Sequence, residues 1–213
     1  MTDKKITLKQ PIIDNLFYEK DLFAEGISLI CGVDEVGRGP LAGPVMAGAV
    51  IPDFNKMIIG INDSKKLTDK FRRELYPEIR ATAISAHTSI VEPADIDRIN
   101  ILQATKRAMR EAVAGLLVKP QFLMIDALKL ETGIRELAIT HGDALSYSIG
   151  MASVLAKVER DDMMIRYAEL YPEYGFEENK GYGTQHHIEM LKKYGPCPIH
   201  RLSFIRSILE GAV

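Results

Sequence analysis

Apolar residues in the first two thirds of the chain follow the spacing of strands separated by short turn signals. Residues 27–36 (ISLICGVDEV) and 45–51 (VMAGAVI) are apolar and β-branched, which is typical of buried strands. The Gly- and Pro-rich stretch between them, GRGPLAGP, predicts an antiparallel hairpin. A third strand is predicted at 82–91 and a short one at 122–126 (FLMID), whereas 134–139 fits either a strand or a helical turn.

Helical spacing fills the gaps between these strands and dominates the end of the chain. Helices are predicted at about 17–25, 65–80, 104–119, 144–171 and 184–194. Thr68 is the expected N-cap of the second helix, and Pro172 and Gly195 end the last two. Strands that alternate with helices and precede a helical tail predict a mixed α/β sheet with a helical C-terminal portion.

The composition allows one sizeable hydrophobic core. The 213 residues are 46% apolar and 26% charged, and we find no internal repeat, low-complexity tract or Gly/Ser linker. We therefore predict a weakly structured segment at 1–15 and a single domain at 16–213, which includes C-terminal helices from about 184 to 213. No coiled-coil pattern or apolar interface stripe is visible, which favours a monomer.

The sequence also bounds the compartment and the partners. It shows no secretory leader and no apolar run that could span a membrane, which predicts a cytoplasmic protein. Cys31 and Cys197 lie far apart and are expected to be free thiols. The net charge of −2 means that any nucleic-acid footprint must be local. Candidates for it, each also typical of a solvated surface, are Lys65, Lys66, Arg72, Arg73, Lys180, Lys192 and Lys193.

Carboxylates stand at the ends of apolar segments. Asp34 and Glu35 interrupt the first strand and Asp126 closes FLMID, where an ionised carboxylate is costly unless a cation or hydrogen-bond donors compensate it. A divalent metal ion fits such oxygen ligands, and an ion pair with Arg38 is the alternative for Asp34 and Glu35. Turn or capping roles remain open for Asp126 and for Asp143. Neighbours in a strand point to opposite faces, so Asp34 and Glu35 share a site only if the strand ends or bulges there.

Taken jointly, the four acids favour phosphodiester hydrolysis with two divalent ions about 4 Å apart. Other site types lack their signatures, because the chain has no GxxxxGK[ST] loop, no GxGxxG fingerprint, no HExxH motif and no nucleophile elbow around its serines. Surface or capping roles are expected for the five histidines, which are His87, His141, His186, His187 and His200.

Six blocks of the sequence resemble, in order, the motifs of the ribonuclease HII family. They are GVDEVGRGPLAGPV at 32–45, NDSKKLT at 62–68, MIDALKL at 124–130, GDALSYSIGMASVLAKVERD at 142–161, NKGYGTQHH at 179–187 and HRLSF at 200–204. The resemblance covers about residues 17–204. It implies a ribonuclease H-like fold, in which a mixed five-stranded sheet is flanked by helices and followed by C-terminal helices.

The resemblance also implies site residues. The catalytic and metal-ligating set would be Asp34, Glu35, Asp126 and Asp143, with two Mg²⁺ or Mn²⁺ ions as cofactors. The implied substrate-binding residues are Gly37, Arg38, Gly39, Ser64, Lys65, Lys180 and Tyr182. The Gly-Arg-Gly turn would read the ribose 2′-hydroxyl, Tyr182 would stack under the sugar on the 3′ side, and the others would contact phosphates.

The implied activity is hydrolysis of the RNA strand of RNA/DNA hybrids and of the phosphate 5′ of single ribonucleotides in duplex DNA. The products would carry a 3′-hydroxyl and a 5′-phosphate, and the role would be ribonucleotide removal and degradation of primer RNA. The sequence departs from the family pattern at His141, Gly150 and Met151, which leaves the acids intact, and SFIRSILEGAV lacks a sliding-clamp box. Two alternatives remain, another metal-dependent nuclease of the same fold and a catalytically silent hybrid-binding module.

Overall fold

The computed structural model describes residues 15–62 and 66–211. The predicted weakly structured segment at 1–15 therefore lies outside the described residues except for Asn15. Asn15 is buried, and its side-chain amide donates a hydrogen bond to the carbonyl of Ile61. In the part of the chain that the structure describes, no helix is both long and apolar enough to cross a bilayer.

Five strands form one mixed sheet in the order β3-β2-β1-β4-β5. They are β1 Ile30–Val36, β2 Val45–Ile51, β3 Ser85–Val91, β4 Phe122–Asp126 and β5 Arg135–Ile139. β1 and β2 form the predicted antiparallel hairpin, β2 and β3 are also antiparallel, and β4 is parallel to both β1 and β5. The predicted mixed five-stranded sheet is confirmed, and the segment at 134–139 is resolved as a strand.

Helices cover both faces of the sheet and form the C-terminal portion. They are α1 Phe17–Ala24, α2 Asp69–Thr82, α3 Pro93–Ile99, α4 Ile101–Ala114, α5 Gly142–Leu145, α6 Tyr147–Leu170, α7 Phe176–Asn179, α8 Gln185–Tyr194 and α9 Leu202–Leu209. Thr68 caps α2 as predicted, since its side chain accepts a hydrogen bond from the amide of Phe71.

Three helix predictions were wrong in their bounds. The helix expected at about 65–80 is α2, which begins at Asp69 and ends at Thr82. The helix expected at 104–119 is α4, which begins at Ile101 and ends at Ala114, and Leu117, expected on its apolar face, is 96% exposed. Asn100 sets the start of α4, because it has a φ of 67° and its side chain accepts a hydrogen bond from the amide of Gln103. The continuous helix expected from 144 is divided at Ser146, which has an extended backbone and caps α6.

Glycines let α6 lie directly against the sheet. A Cβ at Gly32 in β1 would come within 2.0 Å of the backbone carbonyl of Ser148, and one at Gly48 in β2 within 2.6 Å of the carbonyl oxygen of Ala152. Residues two apart in a strand share a face, so Asp34 lies on the same side of β1 as Gly32 and faces α6. The opposite face, with Cys31 and Val33, packs against α4.

Both cysteines are free, as predicted. Burial raises the pKa of the Cys31 thiol well above its usual value, because a thiolate inside the apolar core would lose its hydration. Cys31 therefore serves as a core side chain rather than as a nucleophile.

Candidate active site

The sheet brings Asp34 and Asp126 together at the ends of adjacent strands. In the parallel pair of β1 and β4, Val33 lies opposite Ile125, so the next residue of each strand is an aspartate. One carboxylate oxygen from each of Asp34, Glu35 and Asp126 lies within 4.8 Å of the other two. This spacing suits the shared ligation of a divalent cation by carboxylate oxygens.

Glu35 joins this group from inside β1, one residue before its end and beyond the part of the strand that pairs with β4. The strand finishes at Val36, and Gly37 then has a φ of 87°, which belongs to the left-handed region that glycine adopts readily. The sequence-based expectation, that Asp34 and Glu35 share a site only if the strand ends or bulges there, was wrong, because β1 pairs with β2 in regular register through both residues while their carboxylates still come close.

The environment of Asp34 opposes a negative charge. The residue is 5% exposed, and burial raises its pKa well above the usual value, an effect that the charges of Glu35 and Asp126 increase. A hydrogen bond with the side chain of Ser153 on α6 acts in the opposite direction. Such a group of acids binds a cation favourably, because the cation removes the repulsion and replaces the lost hydration.

Asp143 lies beside the three acids rather than among them. It is 3% exposed and stands in the first turn of α5. Among the described residues, the group of carboxylates that lie within 4.8 Å of one another contains Asp34, Glu35 and Asp126, and it does not include Asp143. The amide of Gly142, its neighbour, donates a hydrogen bond of 2.7 Å to Oδ1 of Asp126, which fixes the start of α5 against the end of β4.

A pocket of about 190 Å³ opens over the acids. Its wall contains the Gly37-Arg38-Gly39 turn, the ring of Tyr182 and two residues of α6, Ser153 and Lys157. Nη1 of Arg38 lies 3.5 Å from Oε1 of Glu35. The ion pair considered as an alternative from the sequence is thus present for Glu35, but the half-exposed Arg38 leaves the buried Asp34 beside two other carboxylates.

Two fully buried arginines hold the loop that forms this wall. Arg160 on α6 donates hydrogen bonds to the carbonyls of Pro44, Lys180 and Ala42 at 3.0, 3.1 and 3.3 Å. Its guanidinium also fills the space beneath Gly37, where a Cβ would lie 2.1 Å from Nε. Position 37 therefore requires glycine for two reasons, the positive φ of its backbone and the lack of space for a Cβ beside Arg160.

Arg201 holds the same loop from the C-terminal segment. It donates hydrogen bonds of 2.9 Å to the carbonyls of Gly43 and Arg38 and one of 2.5 Å to that of Gly37. Burial, with the nearby charge of Arg160, lowers the pKa of Arg201 to about 9. Between them the two guanidinium groups bind five carbonyls of the loop, which are those of residues 37, 38, 42, 43 and 44, and they thereby support its observed conformation.

We expect the Arg201→Lys variant to be markedly less stable than the parent protein. A lysine keeps the positive charge, but one ammonium cannot replace a planar guanidinium bonded to three separate carbonyls. The free energy of unfolding should fall by about 3 kcal/mol, because buried carbonyls would lose their donors. Thermal unfolding measures this effect, and Arg206→Lys, at an exposed position of α9, should leave the Tm unchanged. Equal Tm values for the two variants would contradict the role assigned to Arg201.

The other sequence-based candidates are placed as follows. Ser64 and Lys65 lie outside the described residues. The ammonium of Lys180 donates a hydrogen bond to the carbonyl of Glu177, and the carbonyl of Lys180 is bound by Arg160. Tyr182 is 45% exposed and its ring lies 3.7 Å from where a Cβ of Gly39 would be, so it stands beside the Gly-Arg-Gly turn.

Sequence reasoning missed several residues of this region. Ser153 and Lys157 both line the pocket, and their spacing of four residues in a helix places them on one face. Lys157 also pairs with the buried Asp161 at 2.7 Å. Their helical spacing identifies Ser153 and Lys157 as pocket residues only when it is known that α6 packs over β1. Nothing in the local sequence distinguishes them from other polar helix residues.

The expectation for two histidines was wrong. His187 and His200 are 0% and 3% exposed, whereas surface or capping roles were predicted. They lie in a cluster with Tyr174 and Phe176. Neither residue has local metal-motif spacing, so only the tertiary fold shows that they meet.

The fold and the group of carboxylates define the class of this protein as ribonuclease H-like. Ribonuclease H2 from Pyrococcus horikoshii OT3 superimposes with a TM-score of 0.72 at 28% identity, over 85% of this chain and 97% of that chain. The sequence model of the family described as Ribonuclease HII matches residues 31–207, and the chain belongs to the ribonuclease HII family. It is accordingly an enzyme with ribonuclease H activity.

Bacterial relatives support the same assignment. Ribonuclease HII of Caldanaerobacter subterraneus subsp. tengcongensis is 52% identical over 196 residues, which are 92% of this chain and 81% of the relative. Ribonuclease HII of Lactobacillus gasseri is also 52% identical, over 90% of this chain and 76% of the relative.

Proposed function

We propose that this ribonuclease cuts the RNA strand of RNA/DNA hybrids and the phosphate 5′ of a single ribonucleotide embedded in duplex DNA. The products would be a 3′-hydroxyl and a 5′-phosphate. The observation that carries the proposal is one pocket that joins Asp34, Glu35 and Asp126 to the Gly-Arg-Gly turn and Tyr182. Hydrolytic and sugar-reading groups thus face the same space.

The acidic side chains would hold divalent ions. The donor set is made of carboxylate oxygens, which Mg²⁺ and Mn²⁺ both accept. Burial first, and then the negative charges of Glu35 and Asp126, raise the pKa of Asp34, and bound ions would offset both effects. We assign Asp34, Glu35, Asp126 and Asp143 as ligands of two ions, with Asp143 joining from the first turn of α5. When bound, the ions would supply activation of a water molecule and stabilisation of the leaving oxygen.

The walls of the pocket would select the sugar. Arg201 binds the carbonyls of Gly37 and Arg38 in the turn, the guanidinium of Arg160 lies beneath Gly37, and the glycines allow a ribose to approach the backbone closely. Half-exposed Tyr182 offers its ring to a sugar next to that position, where a 2′-hydroxyl would interfere with stacking. Lys180, Ser64 and Lys65 are proposed to contact flanking phosphates, as basic and hydroxyl side chains do in nucleic-acid complexes.

This activity suits a role in the removal of misincorporated ribonucleotides and in the degradation of primer RNA. A cytoplasmic location and a monomeric state remain part of the proposal. Both follow from the sequence pattern described above.

Three labelled duplexes test the proposal, one with a single ribonucleotide, one RNA/DNA hybrid and one of DNA alone. In Mg²⁺ or Mn²⁺ we expect cleavage of the first two, with the single-ribonucleotide duplex cut once, on the 5′ side of the ribonucleotide. Chelation of the metal by EDTA should abolish cutting. Extension of the upstream fragment by a polymerase checks for a 3′-hydroxyl.

The same experiment separates the alternatives. Equal cutting of the all-DNA duplex would favour another nuclease of this fold. Binding of the hybrid without metal-dependent cleavage would favour a silent binding module, and either result would remove the proposed specificity.

A further inference from the structure

Two buried histidines connect the loop that carries Tyr182 to the segment that carries Arg201. Nε2 of His187, on α8, lies 3.0 Å from Nε2 of His200. The backbone of His200 pairs in an isolated bridge with Ala42, a residue of the loop at 37–44 that forms the pocket wall. The two rings therefore connect the segment that follows Tyr182 with the segment that precedes Arg201.

The hydrogen bonds of the two rings run in one direction. The carbonyl of Tyr182 can only accept, so the proton of a neutral His187 lies on Nδ1, and its Nε2 accepts from Nε2 of His200. Nδ1 of His200 accepts from the amide of Cys197 at 2.9 Å, with Sγ and the carbonyl of Cys197 at 3.1 and 3.3 Å from the same nitrogen. Nε2 of His200 then donates to Nε2 of His187, and Nδ1 of His187 donates to the carbonyl of Tyr182 at 2.8 Å. The chain of donors ends on the backbone of the residue that faces the substrate pocket.

The pair requires both rings to be neutral, and their surroundings favour this. Burial lowers the pKa of His187 and lowers that of His200 to about 4, where the neighbouring His187 adds to the effect. The titratable groups that face the pair are His186, Cys197 and Tyr174, with Glu173 near the last two. At neutral pH each ring therefore carries one proton, as a donor-to-acceptor pair needs.

The Tyr182 loop needs such support because its backbone is unusual. Lys180 and Gly181 have φ values of 52° and 87°, in the left-handed region. The carbonyl of Gly181 accepts from the amide of Leu41, and the carbonyl of Tyr182 accepts from the amide of Thr184 as well as from His187. The ring of Tyr182 itself is 45% exposed, so its position depends on how firmly its backbone is held.

We propose that His187, oriented by His200, is a positioning residue that holds Tyr182 at the sugar-reading wall of the pocket. The inference rests on the proposed function, since it assigns Tyr182 to the nucleic-acid substrate. His187 touches neither the acids nor the substrate in this scheme. It acts on substrate binding through the carbonyl of Tyr182 and leaves the chemistry of the carboxylates alone.

The test uses steady-state cleavage of the single-ribonucleotide duplex by the full-length protein. His187→Phe keeps an aromatic ring in the cluster and removes the donor to Tyr182. We expect KM to rise about fivefold with kcat within about twofold, as for the loss of one hydrogen bond that supports binding. His186→Phe, at the exposed neighbouring position of α8, is the matched control and should change neither constant.

Two further variants separate positioning from a general loss of stability. His187→Asn places an amide donor near the position of Nδ1 but cannot reach His200. We therefore expect its KM to return towards the parent value, while its Tm, like that of His187→Phe, stays below that of the parent protein. In a Tyr182→Ala background, His187→Phe should not raise KM further. A rise of the same size in that background, or no rescue by Asn, would overturn the inference. Failure of the unmodified protein to cut the duplex would instead overturn the proposed function.

Discussion

Replacement of Asp126 by asparagine should abolish most of the cleavage without weakening the fold. The amide oxygen of asparagine can still accept the hydrogen bond from Gly142, and the loss of one negative charge relieves the repulsion felt by Asp34. Metal binding to the acids would be weakened, and a bound ion contributes several kcal/mol to the transition state, so kcat/KM should fall about 10³-fold. Single-turnover cleavage of the single-ribonucleotide duplex measures the loss.

Thermal unfolding with and without Mn²⁺ supplies the second readout for Asp126→Asn. An ion that binds only the folded protein raises its Tm, so the parent protein should be stabilised by Mn²⁺ and the variant much less. Asp21→Asn, at an exposed position of α1, serves as the control and should behave as the parent does. Equal cutting by Asp126→Asn and by the parent protein would remove Asp126 from the mechanism.

The Gly32→Ala variant should be severely destabilised, although it adds a single methyl group. The new Cβ would lie 2.0 Å from the backbone of Ser148, and neither β1 nor α6 can move away without disturbing the sheet. We expect a loss of about 3 kcal/mol or more in the free energy of unfolding, at the upper end of the cost of overpacking a core. For a domain of this size the Tm should fall by at least about 6 °C.

Gly133→Ala is the matched control for this substitution. Gly133 has a φ of 82°, and no atom of the described residues lies within 4 Å of the added methyl. It should cost about 1 kcal/mol from backbone conformation alone. Equal free energies of unfolding for the Gly32→Ala and Gly133→Ala variants would contradict the close packing of α6 against β1.

The strands were predictable because their signal is local. FLMID gave the bounds of β4 directly, since an apolar run ended by an acid stands out from its neighbours. The antiparallel hairpin of β1 and β2 followed from its short Gly- and Pro-rich connection. The helix division near Asn100 was not predictable from periodicity, because α3 and α4 are separated by one residue whose positive φ leaves no trace in apolar spacing.

The candidate site was predictable only where its residues carry a local signal, as the strands do. Asp34, Glu35 and Asp126 each end an apolar segment, and the parallel pairing of β1 and β4 places such ends side by side. Asp143 had only a weak local signal between capping and ligation, and its role remains a prediction. Arg160, Arg201 and the two buried histidines were missed, because their partners are chosen by the tertiary fold and are distant in sequence.

The long sequence separation between Arg201 and the loop that it binds has a consequence for folding during translation. Arg38, whose carbonyl it binds, is made 163 positions earlier, so residues 37–44 leave the ribosome long before their guanidinium partner exists. A growing chain can already contain Asp34, Glu35 and Asp126 while this wall lacks its final shape. The proposed sugar-reading wall is therefore expected to form late in translation, once residue 201 has emerged and docked.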